Sequence, residues 1–293
     1  MEHKSGFVNI IGNPNVGKST LMNAFVGEKI SIITSKSQTT RHRIMGIVNG
    51  DDFQIVYSDT PGVLKPNYKL QESMMRFVGS ALVDADIILY VTDVYEKIDK
   101  NEEFLKKIQN TSIPVLLLIN KIDLANQEKV DELSQEWQKL LPKSEVILIS
   151  ALKKFNVSYV FEKIIKLLPE SPPYFPKDEL TDKTERFFVS EIIREKILLN
   201  YKKEVPYSTE VLVEEFKDGD DIIKIRAIIF VTRDSQKGII IGHKGAAIKK
   251  VGTEARIDIE KFFSKKVFLE LFVKVDKDWR NKPNELKRFG YLQ

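Results

Sequence analysis

Apolar residues in the first 170 positions fall into short unbroken runs, separated by longer stretches where they recur every three or four residues. The runs are Gly6-Phe7-Val8-Asn9-Ile10-Ile11, Phe53-Gln54-Ile55-Val56-Tyr57, Ile87-Ile88-Leu89-Tyr90-Val91, Val115 to Ile119 and Val146-Ile147-Leu148-Ile149. Near-continuous hydrophobicity over about five residues predicts strands buried on both faces. The helical spacing lies over 20–26, 70–82, 101–109, 128–141 and 157–168. Strands alternating with helices predict an α/β fold with a doubly wound, mostly parallel sheet.

The pattern breaks near residue 169. Leu168-Pro169-Glu170-Ser171-Pro172-Pro173-Tyr174-Phe175-Pro176 carries four prolines in eight residues, which ends a helix and predicts a semi-stiff connection. The chain therefore reads as a first domain over 1–170, a connection over 171–183 and a second domain over 184–293. In the second domain Phe188, Ile192, Ile193, Ile197 and Leu198 have helical spacing, and 209–216 alternates as a strand. Asp218-Gly219-Asp220-Asp221 turns the chain into a second strand over 222–232. The segment Ser235 to Gly245 precedes a long helix from Ala246 to about Phe263 and a strand over 267–275. Helix, two strands, helix, Gly-x-x-Gly, helix, strand is the order of a type II KH domain, an α+β module for RNA.

Each motif with chemical content falls just after a predicted strand, where doubly wound sheets bind ligands. Gly12-Asn13-Pro14-Asn15-Val16-Gly17-Lys18-Ser19 has the spacing Gly, four residues, Gly-Lys-Ser, between a strand and a helix that opens with Thr20. Such a turn aims backbone N–H groups at phosphates and adds the partial positive charge of a helix N-terminus. Lys18 reaches the β- and γ-phosphates and the Ser19 hydroxyl binds Mg²⁺. In Asp59-Thr60-Pro61-Gly62 the carboxylate holds Mg²⁺ through a water, and the Gly62 N–H approaches the γ-phosphate. In Asn120-Lys121-Ile122-Asp123 the Asp123 carboxylate accepts from guanine N1–H and N2–H₂, a donor pair adenine lacks, so the segment selects GTP over ATP. Asn120 ties this loop to the phosphate loop, the Lys121 stem covers the base, and Ser150-Ala151 supplies a backbone N–H for guanine O6.

Between the first helix and the second run lies the polar, basic stretch Ser35-Lys36-Ser37-Gln38-Thr39-Thr40-Arg41-His42-Arg43. Thr40 is the choice to complete the Mg²⁺ shell in the GTP state, with Thr39 competing. Arg41 and Arg43 read as solvated loop charges, with a catalytic role or contact with RNA as alternatives, and His42 as an exposed loop histidine rather than a base. Lys18, Thr40 and Gly62 carry the expected catalytic roles. Val63 stands where a glutamine would orient the attacking water, so hydrolysis is expected to be slow unless backbone, a cation or a partner positions that water.

In the second domain, Gly242 and Gly245 let the backbone pass close to a sugar-phosphate chain, and the helix N-terminus after Gly245 favours a phosphate. Lys244, Lys249 and Lys250 add charge, and Ile239-Ile240-Ile241 offers an apolar wall for unpaired bases. His243 completes the loop.

Composition narrows the classes. The chain has 293 residues, 42% hydrophobic and 30% charged, enough to bury a core in each of two domains. It has no cysteine, which excludes disulfides, thiolate zinc sites and a cysteine nucleophile. The first residues carry no signal-peptide pattern and no apolar run approaches membrane-spanning length, so a cytosolic or at most peripheral protein is expected. The net charge of +4 is uneven: residues 183–293 hold 24 Lys and Arg against 18 Asp and Glu, the remainder 22 against 24. The basic excess points to a polyanion partner for the second domain.

Together these motifs resemble the Era family of bacterial GTPases, over essentially the whole chain. The resemblance rests on Gly12–Ser19, Gln38–Arg43, Asp59–Gly62, Asn120–Asp123, Ser150-Ala151 and Gly242–Gly245, with Lys274-Val275 and Trp279 after the last helix. It implies binding of GTP and GDP with Mg²⁺, slow hydrolysis, and binding of single-stranded RNA near the 3′ end of 16S ribosomal RNA during small-subunit maturation. It also implies a protein found in the cytoplasm and peripherally at the inner membrane; a monomer is expected. A hydrophobic residue at the Val63 position matches the wider class, in which the residue equivalent to Asn15 helps hold K⁺ beside the phosphates. His243 departs from the familiar loop and bears on loop-specific contacts. A GTPase acting on another RNA, in tRNA modification or translation, and a nucleotide-stabilised RNA chaperone remain as alternatives.

Overall fold

The computed structural model describes residues 3–98 and 101–292. Their contacts divide the chain into two compact units, 1–66 with 74–182 and 183–293 with 67–73.

The first unit is built on a six-stranded sheet. Its elements are β1 (Lys4–Gly12), α1 (Lys18–Val26), β2 (Ile44–Asn49), β3 (Phe53–Asp59), α2 (Lys69–Val83, whose first residues fall in the second unit), β4 (Ile87–Asp93), α3 (Glu102–Gln109), β5 (Val115–Asn120), α4 (Gln127–Leu140), β6 (Glu145–Leu148) and α5 (Val157–Leu167). The strand order is β2-β3-β1-β4-β5-β6, parallel throughout except for β2, which runs antiparallel to β3. Every residue of β4 is buried, as strands covered by helices on both faces require. One side of its core gathers Ile88 and Tyr90 of β4, Leu117 and Ile119 of β5, and Trp137 of α4.

β2 was not foreseen as a strand. Ile44-Met45-Gly46-Ile47-Val48-Asn49 is interrupted by Gly46, and strand glycines usually weaken an element. The structure gives the reason for glycine: a Cβ there would lie 2.6–2.7 Å from side-chain atoms of Ile30, Met22 and Val26. Edge strands expose unpaired backbone groups, and the proline-bearing segment covers this one. Ile47 N–H donates to the Leu180 carbonyl at 2.8 Å, and the Thr181 hydroxyl donates to the Met45 carbonyl at 2.7 Å. Gln54, buried in β3, accepts from the Tyr174 and Phe175 amides at 2.7 and 3.0 Å and donates to the Phe175 carbonyl at 2.8 Å. The connection over 171–183 is therefore packed along the sheet edge for most of its length.

The second unit comprises α6 (Glu185–Asn200), β7 (Glu210–Asp218), β8 (Ile222–Val231), α7 (Asp234–Ile241), α8 (Ala246–Phe263), β9 (Lys266–Val275) and α9 (Pro283–Arg288). Its sheet has the order β7-β8-β9, antiparallel then parallel. α8 turns Val251, Ala255 and Ile259, four residues apart, into a core shared with Ile193 and Ile197 of α6 and Ile223, Ile225 and Ile229 of β8. Each buried aliphatic side chain contributes about 1.5–3 kcal/mol. Thr184 caps α6 by accepting from the Phe187 amide. The C-terminal turns, not foreseen, are held by Trp279, whose Nε1–H donates to the Ser208 carbonyl at 3.0 Å, and by Tyr291, whose hydroxyl donates to Glu210 at 2.6 Å.

Candidate functional site

The phosphate loop spans the end of β1 and the start of α1, and two of its glycines are set by close approach. A Cβ on Gly12 would lie 2.1 Å from the Val91 carbonyl oxygen. Gly17 has φ +100° at the N-cap of α1, and a Cβ there would lie 2.2 Å from Asn120 Nδ2. Asn120 fills that space: its amide donates to the Val16 carbonyl at 2.7 Å and its carbonyl accepts from the Ala151 N–H at 2.9 Å. One side chain thus fastens the loops after β1, β5 and β6 together.

These loops enclose a cavity of about 490 Å³. Its wall includes Pro14, Asn15, Gly17, Lys18, Ser19 and Thr20 from the phosphate loop and α1, and Thr60 and Gly62 after β3. Asn120, Lys121, Asp123, Ser150 and Leu152 line the far end, with Thr39 and Thr40 above the phosphate end. Lys18 is buried, with Nζ donating to the Gly12 and Asn13 carbonyls at 3.0 and 2.8 Å. Burial pulls its ammonium down to about 8, against the opposing charges of Asp59 and Glu96. A phosphate arriving in this cavity would add its counter-charge to those of Asp59 and Glu96.

Three oxygens converge beside Lys18. Ser19 Oγ donates to Asp59 Oδ2 at 2.6 Å, Thr40 Oγ1 donates to the same oxygen at 3.2 Å, and the two hydroxyls are 2.9 Å apart. Asp59 Oδ1 is buried and unsatisfied, and burial pushes this carboxyl up despite the hydrogen bond from Ser19 and the Lys18 charge. Two hydroxyls and a carboxylate with an open oxygen fit a hard dication of the Mg²⁺ class. Thr39 points elsewhere, its hydroxyl donating to the Lys36 carbonyl at 2.6 Å.

At the other end Lys121 has left-handed backbone, φ +62°, and its ammonium donates to the Asn15 carbonyl at 2.6 Å. Asp123 is exposed at the cavity wall, with its carboxylate open to a ligand's donors. Leu152, three-quarters exposed, stands in the same wall and offers a second apolar cover for a flat base. Sequence reading missed it because a leucine after Ser-Ala carries no chemical signal of its own.

Several expected contributors are placed differently. The Val63 side chain packs in the core with Val78 and Ile88, and its N–H donates to the Gly12 carbonyl at 3.1 Å. Asn13, Val16 and Ala151 are buried behind the cavity wall, and the Ala151 N–H donates to the Asn120 side chain at 2.9 Å. Thr60 donates its hydroxyl to the Ile10 carbonyl at 2.8 Å, and Pro61 does not line the cavity. Arg41 and Arg43 are not solvated loop charges. Arg41 is fully buried, and Arg43 donates to Asp84 at 2.9 Å and to Ser58 at 2.9 Å. His42 is half-buried, its ring centroid 6.0 Å from that of Phe77.

In the second unit, α7 and α8 are joined by Gly242-His243-Lys244-Gly245. Gly242 has φ +73° and Gly245, the N-cap of α8, φ +79°. A Cβ on Gly242 would lie 2.6 Å from Ala247 Cβ, so the first glycine is required by packing. At Gly245 no atom lies within 4 Å of that position, which leaves the backbone open to close approach. His243, Lys244, Lys249 and Lys250 are exposed on one loop and the first turns of one helix. The isoleucine run closes α7, as the element order predicts: Ile240 is buried in the core, while Ile239 is exposed and Ile241 half-buried.

Comparison with known proteins gives the following similarities. The family described as 50S ribosome-binding GTPase matches residues 7–121, and the KH domain family matches residues 204–280. A curated GTPase Era from Staphylococcus haemolyticus (strain JCSC1435) is 45% identical over 294 residues, covering 100% of this chain and 98% of that protein. A crystal structure of Era in complex with MgGDPNP and nucleotides 1506–1542 of 16S ribosomal RNA superposes with a TM-score of 0.95 at 40% identity, covering 99% of this chain and 100% of the other. A variant of Aquifex aeolicus Era bound to GDP and AlF4⁻ superposes with a TM-score of 0.94, at 40% identity and the same coverage.

Proposed function

The chain belongs to the Era family of GTPases, and from that premise we propose that it is a GTP-hydrolysing switch that binds single-stranded RNA near the 3′ end of 16S ribosomal RNA and assists maturation of the small ribosomal subunit. The observation that carries the nucleotide half is the single cavity into which Lys18, Thr40, Gly62 and Asp123 all open. The RNA half is supported by the exposed Gly242–Gly245 loop and by the related Era solved with a 16S fragment.

In this reading the phosphate-loop amides and Lys18 bind the triphosphate, and Asp123 and Lys121 hold the guanine. Ser19, Thr40 and Asp59 hold Mg²⁺, which neutralises charge on the β- and γ-phosphates when bound. Thr40 and the Gly62 N–H are drawn in by the γ-phosphate and released on hydrolysis. Because Val63 lies in the core, no side chain at that position orients water, and turnover is slow. Asn15 is exposed in the cavity wall, and we propose that it helps hold a K⁺ beside the phosphates. Faster hydrolysis in KCl than in NaCl supports that role, and equal rates end it. No helix among the described residues is long and apolar enough to cross a membrane. We assign the protein to the cytoplasm, as a monomer with peripheral association at the inner membrane.

Crosslinking in cells, followed by sequencing of the bound RNA, tests the assignment. Reads concentrated at the 16S 3′ end support it. Reads concentrated on transfer RNA, or spread without preference, replace it with a different GTPase role or with a general RNA chaperone.

A further inference from the structure

Between the phosphate loop and the guanine-reading loop lies a short turn that no sequence motif singles out. β4 places Val91 opposite Gly12 of β1 and Asp93 opposite Asn120 of β5, so its end stands between the two loops. The chain turns there, with the Glu96 N–H donating to the Asp93 carbonyl at 3.2 Å. The two carboxylates of the turn face opposite ways. Asp93 Oδ2 accepts from Lys121 Nζ at 2.6 Å, while Oδ1 accepts from the Tyr95 amide at 2.9 Å. Glu96 serves the phosphate loop. Its Oε2 accepts from the Thr92 hydroxyl at 2.7 Å and its Oε1 from the Asn13 side-chain amide. Asn13 is buried; its side-chain carbonyl accepts from the Asn101 side-chain amide, and its backbone carbonyl accepts from Lys18 at 2.8 Å. Holding the Asn13 side chain therefore fixes a peptide in the ring of backbone that faces the phosphates.

We propose that Glu96 is a positioning residue for the nucleotide site, acting through Asn13 to hold the phosphate loop in its binding conformation. A carboxylate at this place would otherwise oppose an incoming triphosphate, since it lies close enough to act on the Lys18 charge. Its placement makes sense where two donors, Thr92 and Asn13, absorb that charge and the loop geometry outweighs the repulsion. The two roles predict opposite signs. Removing a repelling charge tightens nucleotide binding; removing a brace loosens it.

The inference rests on the guanine-nucleotide reading of the cavity, and equilibrium binding of fluorescent GDP and GDPNP to the full chain tests the two separately. If the unsubstituted protein binds neither nucleotide, the reading itself fails. If it binds both, Glu96→Ala is expected to weaken each about tenfold, the scale of one hydrogen bond to a charged group. Glu96→Gln is expected to stay within about threefold, because the amide can accept from Asn13 and donate to Thr92 Oγ1. Asn13→Ala combined with Glu96→Ala should bind no more weakly than Asn13→Ala alone, because both remove the same contact. Preference for GTP over ITP should not change, because Asp123 reads the 2-amino group that ITP lacks. Unaltered or tighter binding by Glu96→Ala, or additive losses in the double variant, overturns the proposal. Should Glu96→Ala fail to fold, the Gln and Asn13→Ala variants decide: a Gln variant tenfold weaker, or Asn13→Ala binding as tightly as the unsubstituted protein, counts against it.

Discussion

Replacing Lys18 with alanine removes a buried cation that the phosphates would neutralise, together with its ties to the Gly12 and Asn13 carbonyls. Affinity for GTP and GDP is expected to fall by roughly a hundredfold or more in a titration with labelled nucleotide, the scale of a desolvated charge-assisted contact. Retained tight binding would place the nucleotide elsewhere. Asp123→Asn exchanges an acceptor pair for an acceptor and a donor, so preference should move from guanine toward xanthine nucleotides, read by competition between GTP and XTP. Residues such as Lys18 and Asp123 are legible in the sequence because phosphates and guanine impose their spacing locally. Arg41, Arg43 and Glu96 are not. Arg43 gains its burial from Ser58 and Asp84, 15 and 41 residues away, and Glu96 gains its meaning from Asn13, 83 residues away. A basic loop residue looks the same in sequence whether water or a buried carboxylate receives it.

Most helices and strands were foreseeable from periodicity alone, because each buries one stripe or both faces. The misses share a cause. β2 and α9 are short edge or terminal elements whose conformation is set by partners, the segment at 180–181 for β2 and the sheet residues Glu210 and Phe230 for the C-terminal turns. α6 adds a case where the pattern was right and the content unexpected. Its buried face carries Glu191 and Arg194, joined by two hydrogen bonds at 2.6 and 2.7 Å with both side chains almost fully enclosed. Burial penalises the Arg194 charge, but Glu191 restores it and raises the guanidinium above its ordinary value. Glu191→Ala removes the hydrogen-bonded carboxylate of this buried pair, leaving the charge of Glu210 nearby, and is expected to cost about 3 kcal/mol, seen as an early unfolding transition in urea. A loss below 1 kcal/mol would mean that Arg194 finds water or another carboxylate.

At the scale of the molecule, the proposed function draws on both units: a cavity at the C-terminal ends of the first sheet's strands and the glycine loop between α7 and α8 of the second. Element order, the basic excess of the C-terminal part and the motifs point to both from the sequence alone. A switch requires something neither unit supplies alone, namely that the nucleotide state alters RNA binding. The direct measurement is the affinity of the full chain for an RNA oligonucleotide carrying the 16S 3′ end, by fluorescence anisotropy with saturating GDPNP and Mg²⁺ or GDP and Mg²⁺. A coupled switch predicts binding about tenfold tighter in the GDPNP state, within the usual range of coupling between sites. Equal affinity in the two states would contradict it and leave a nucleotide site that only stabilises an RNA-binding protein.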